Sequence, residues 1–138
     1  MSHAEAVTWA GDAGQVHGWF YPPTRPADPT LPGELVETGE RPPLIVMSHG
    51  GPTAFSSCGF DPGYSGSSGY GRDYIERLRG EWGVLDVSDC IAGAQYLAAN
   101  GDVDGRRLAI RGGSAGGYTT LRARTTSTAS AAGCSRYG

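Results

Sequence analysis

A short apolar run, Leu108-Ala109-Ile110, passes through Arg111 into Gly112-Gly113-Ser114-Ala115-Gly116-Gly117. Gly112-Gly113-Ser114-Ala115-Gly116 fits the pattern G-x-S-x-G, in which a strand turns sharply into a helix and presents a serine at the tip. The glycines follow from the geometry, because a Cβ on either flank would crowd the turn and glycine tolerates dihedrals that other residues avoid. A glycine–serine run alone reads as a flexible linker. Here a β-type run, Arg107 to Arg111, stands immediately ahead of it. The arrangement makes Ser114 the candidate nucleophile and aims the Ala115 N–H at the place where a substrate carbonyl oxygen would become negative.

Leu44-Ile45-Val46-Met47 is a continuous apolar run of the kind expected in a strand buried on both faces. It ends in Ser48-His49-Gly50-Gly51-Pro52, a His-Gly-Gly turn that resembles the oxyanion-hole loop of α/β-hydrolases, where glycines let a backbone N–H approach a developing oxyanion. Gly51 is the candidate second donor. The three histidines, His3, His17 and His49, are the available imidazole bases. His3 lies in the first residues and His17 within a strand, positions that suit surface or packing roles. Upstream, Glu5 to Trp9 and Gln15 to Tyr21 read as two strands of a hairpin turning at Gly11-Asp12-Ala13-Gly14. Residues 22–43, rich in Pro, Gly, Thr and Glu without apolar periodicity, read as a solvated loop.

The spacing predicts a short helix over Asp73 to Arg79 and a long one over roughly Leu85 to Asn100, with Val84, Val87, Ile91, Ala94 and Ala98 on one face. Asp86 and Asp89 fall near its start, where they are expected to cap and to compensate the helix dipole, and Gly101 provides the stop.

All eleven basic residues are arginine. Without lysine the chain has neither a phosphate-loop amine nor a Schiff-base amine, and no cofactor is expected. Glu34, Glu37 and Glu40 have nothing to fix their mutual geometry, so they do not read as a metal site. Cys58, Cys90 and Cys134 are odd in number and far apart, the pattern of reduced thiols in a cytoplasmic protein. No stretch is apolar and long enough to span a bilayer, and the first residues lack a signal-peptide pattern. Charge is uneven: six arginines and no acid follow Asp104. Their scatter and the scarcity of neighbouring aromatics argue against nucleic acid as a partner.

Three motifs stand in one order: His49-Gly50-Gly51-Pro52; Tyr64-x-Gly66-Ser67-x-Gly69-Tyr70-Gly71-Arg72 with Trp82-Gly83-x-x-Asp86-x-x-Asp89; and Gly112-Gly113-Ser114-Ala115-Gly116-Gly117. Together, over about Ala4 to Leu121, they resemble the catalytic domain of the prolyl oligopeptidase family of serine peptidases, particularly its acylaminoacyl-peptidase and dipeptidyl-peptidase-like members. The resemblance implies a partial α/β-hydrolase fold running up to the nucleophile turn, a Ser-Asp-His triad, and peptide or small aminoacyl substrates. It makes Ser114 the nucleophile and the Ala115 and Gly51 N–H groups the oxyanion donors, and it places His49 in the oxyanion loop.

Departures from the family pattern accompany the match. Thr53 to Gly63 is too short and too poor in β-branched residues to supply the strand that family members carry there. Leu121 to Ser130 loses the apolar periodicity of a buried helix. Of the 24 residues after Ser114 none is Asp, Glu or His, and no β-propeller domain is expected within 1–138. The expectation is an incomplete catalytic domain, 1–138, inactive alone. The alternatives are a carboxylesterase on the same fold, or a non-catalytic chain, either a gene fragment without function or a split-protein partner that pairs with a second chain.

Overall fold

The structure is a computed structural model, and it describes residues 3–23, 40–51, 54 and 63–138. Most of the 22–43 loop lies outside the described residues, as do Glu34, Glu37, Cys58 and nearly all of Thr53 to Gly63.

Strands β1 (Glu5–Gly11) and β2 (Gly14–Phe20) form an antiparallel hairpin in which Gly11 pairs with Gly14 across a two-residue turn. Strand β3 (Leu44–Ser48) follows, then α1 (Arg72–Glu76) and α2 (Leu85–Asn100). The chain closes with β4 (Leu108–Gly113), α3 (Ala115–Thr126) and β5 (Ala132–Arg136). The order β3-β4-β5 makes a second, wholly parallel sheet, with Val46 opposite Ile110 and Ile110 opposite Gly133. Parallel neighbours require a crossover, and α2 and α3 supply the two.

One face of this sheet is covered. Val46 and Ile110 pack with Leu85, Val87 and Cys90 of α2 and Ala123 of α3, while Leu44 and Leu108 pack with Ala94 and Leu97. On the other face Ile45 is 60% exposed. The expectation that β3 is buried on both faces is therefore corrected: its apolar run meets helices on one side only among the described residues.

Helix α2 begins and ends where its spacing predicted, with its buried stripe rotated. Leu85, Cys90 and Leu97 are buried, whereas Val84, before the first turn, is 57% exposed. Gly101 ends the helix with φ 90°, its N–H bonding to Ala98 O and that of Asp102 to Leu97 O. A left-handed residue that returns two amides to the last turn is a stop glycine favours. The hairpin is fastened to this helix by Trp9, whose Nε1 donates to Asp89 O at 3.0 Å.

The roles expected of the two aspartates are divided. Asp86, in the first turn, accepts from Gly83 N at 2.6 Å and from the Thr119 hydroxyl, which ties α2 to α3. Asp89 lies a turn further in and does not cap; its Oδ2 accepts from Ser65 N at 2.8 Å. Both carboxylates are fully buried, and Asp89 Oδ1 has no hydrogen-bond partner among the described residues. Burial pushes the Asp89 carboxyl above its ordinary range, against the lowering effect of the Ser65 bonds. No helix among the described residues is long and apolar enough to cross a membrane.

Candidate active site

Ser114 stands between the last residue of β4 and the first of α3, with φ 55° and ψ −121°. An L side chain at such a φ is crowded by its own backbone, a conformation that costs roughly 1–3 kcal/mol and persists only where neighbours enforce it. The neighbours are identifiable. Ser114 N donates to Arg136 O at 2.8 Å, and Ser114 O accepts from Tyr118 N at 3.1 Å, so β5 and α3 clamp the residue from both sides. Its side chain is exposed.

The turn after β3 crosses the same point. A Cβ built on Gly116 would stand 2.2 Å from Ser48 O, and one on Gly112 would stand 2.3 Å from Gly116 O. No side chain fits either place, so these two glycines permit β3 and the start of α3 to touch. The Ser48 hydroxyl then donates to Gly116 O at 2.9 Å and locks the contact. Gly50 is brought against the serine, since a Cβ there would lie 3.5 Å from Ser114 Cβ. Gly51 follows, exposed, with φ 65°. Ala115 is buried and opens α3, where the first N–H groups have no intrahelical acceptor.

His49 is turned away from solvent, 6% exposed. Its Nε2 lies 2.6 Å from Ser67 Oγ and its Nδ1 3.2 Å from Gly50 O, and the ring stacks on Tyr64 at 4.3 Å. Both ring nitrogens are engaged by the loop itself. The Tyr64 hydroxyl donates to His49 O at 3.2 Å, and the Ser67 hydroxyl to Tyr64 O at 2.7 Å. Tyr64 and Ser67 thus hold the loop in place, a supporting role that residue types alone did not suggest. The Tyr64-x-Gly66-Ser67 spacing was the available signal. His17 is half-buried, stacked on Tyr70 at 4.7 Å, with Nδ1 3.1 Å from Thr8 Oγ1, and His3 is exposed near the start.

Comparison with known proteins bears on this arrangement. The family model described as Prolyl oligopeptidase family matches residues 59–137. A puromycin-hydrolyzing peptidase of Mycobacterium tuberculosis superposes with TM-score 0.88 at 44% identity, covering 99% of this chain and 23% of that one. Pyrococcus horikoshii acylaminoacyl peptidase superposes with TM-score 0.77 at 26% identity, over 97% of this chain and 23% of that one. The acylamino-acid-releasing enzyme of Arabidopsis thaliana is 37% identical over 99 residues, 61% of this chain and 13% of that protein. The architecture is accordingly part of an α/β-hydrolase domain, and the chain spans between about an eighth and a quarter of these relatives.

Proposed function

The chain belongs to the prolyl oligopeptidase family of serine peptidases, and from that premise we propose that it carries the nucleophile and oxyanion elements of a peptidase site. Ser114 Oγ attacks the carbonyl carbon of a peptide or aminoacyl bond, and the carbonyl oxygen takes up the electron pair as the tetrahedral intermediate forms. The N–H groups of Ala115 and Gly51 donate to that oxygen. Collapse of the intermediate expels the amine, which needs a proton, and water then frees the acyl group. The observation that supports this reading is the exposed serine held at φ 55° between β4 and α3 with Gly50 against its Cβ.

The proton shuttle calls for a histidine and an acid, and neither residue type follows Ser114 in this sequence. His49 is a poor substitute because both its nitrogens face loop oxygens. The chain alone is therefore expected to turn over little or no substrate, since losing the base typically costs several powers of ten in rate. Its substrates are short peptides or aminoacyl amides, in keeping with the acylamino-acid and puromycin activities named for the relatives. The free thiols Cys90 and Cys134 suit a cytoplasmic setting.

Complementation tests the reading. The purified chain is mixed with a separately expressed C-terminal portion of the mycobacterial relative, chosen to supply a histidine and an acid. Hydrolysis of aminoacyl amides should appear only in the mixture and vanish with Ser114→Ala. Amide hydrolysis by the chain alone, or in a mixture containing the Ser114→Ala variant, would contradict it.

A further inference from the structure

Six arginines and no acid follow Asp104, and the structure accounts for four of them. Arg106 and Arg107 pair with Asp104, and Arg107 also with Glu40 at 2.8 Å. Arg122 donates to Gly83 O at 3.4 Å, and Arg124 donates to Ser130 O. The remaining two, Arg111 and Arg136, have no ion pair or side-chain hydrogen bond among the described residues. Both line one pocket of about 230 Å³, together with Met47, Cys134 and the backbone of Gly112 and Gly113.

The register explains why they meet. Arg111 is opposite Met47 on one side and Cys134 on the other, and Arg136 is opposite Gly113. Opposed residues of parallel strands project from the same face, and alternate residues share it. The pocket therefore opens on the sheet face away from α2 and α3, toward the carboxyl ends of three parallel strands, where open α/β sheets commonly receive ligands. Among the described residues no acidic side chain lines it. A guanidinium stays charged at any ordinary pH, so two of them bordering one small pocket favour an anion between them. Their planar forks match a carboxylate. Gly50 and Gly113 also border the pocket, and these are the residues that touch or precede Ser114.

We infer that Arg111 and Arg136 form a carboxylate-binding pocket that holds the free C-terminus of a short peptide beside Ser114. The link to Ser114 rests on the serine-peptidase reading, whereas the anion site does not.

Cys134 supplies the test, because its exposed thiol lines the same pocket. In a Cys58→Ser background, Cys134 is titrated with a neutral aromatic disulfide, Cys90 being buried. The titration is run with increasing di- or tripeptide acid, with the corresponding peptide amide, and with inorganic phosphate. The acid should slow modification saturably, the amide should not, and rising salt should erode the protection. Arg111→Gln and Arg136→Gln, checked for folding by circular dichroism, should each weaken the protection by about tenfold, the scale of one charge-assisted contact. Equal protection by acid and amide, protection by phosphate alone, or full protection in the double variant would overturn the proposal. Ser114→Ala should leave Cys134 protection intact. Loss of serine chemistry and loss of the pocket would thus appear in different readouts.

Discussion

Ser114 occupies a backbone conformation that its own side chain opposes, and this strain is measurable. Ser114→Gly should stabilise the chain by about 1 kcal/mol in urea unfolding, because glycine accepts φ 55° without penalty. Gly116→Ala should act in the opposite sense. Its Cβ would meet Ser48 O at 2.2 Å, so a loss of at least about 3 kcal/mol, or failure to fold, is expected. Asp89 gives a pH signature. Burial raises its folded-state pKa above the unfolded value, so the folded state binds the proton more tightly and stability falls as pH rises through that folded value. Asp89→Asn keeps an oxygen for Ser65 N and removes the titration. The stability of the native chain relative to this variant should therefore decline with rising pH, and a flat difference would refute the assignment.

The elements differ in how openly they were written. Helix α2 could be read to its ends because apolar spacing and a terminal glycine both mark it. Gly101→Ala should cost about 1 kcal/mol by forcing a Cβ into φ 90°. Helix α3 could not be read so, because its buried face is built from Gly116, Gly117, Thr119, Thr120 and Ala123 rather than from large apolar residues. The two threonines are satisfied locally, Thr119 by Ala115 O at 3.1 Å and Thr120 by Gly116 O at 2.9 Å. Thr119 also donates to Asp86, so hydroxyls stand where a hydrophobic pattern would be sought. Thr119→Val strands a buried carboxylate oxygen and should cost about 1–3 kcal/mol, read as a shift in the urea midpoint. Strand β5 leaves no signal in the sequence. Ala132-Gly-Cys-Ser-Arg136 shows no alternation and is mostly exposed, and its strand form comes from pairing with β4.

At the scale of the molecule, the α/β class was legible through the family resemblance, and the approach of the His49 turn to Ser114 left its mark because close approach demands glycine. Coverage of the sheet was not legible. The run Leu44 to Met47 is as apolar as a doubly buried strand, yet helices meet only one of its faces, a property of what packs nearby rather than of the run itself. The arginine excess after Asp104 likewise resolved only in three dimensions, into four engaged side chains and two at a pocket.

The most direct test supplies an imidazole base from solution. A fluorophosphonate probe is applied to the purified chain with and without added imidazole, and the modified residue is located by peptide mass mapping. Labelling at Ser114 should be slow and accelerated by imidazole, with no acceleration in Ser114→Ala. Imidazole-independent rapid labelling, or acceleration shared equally by other exposed serines, would contradict the assignment of Ser114 as nucleophile.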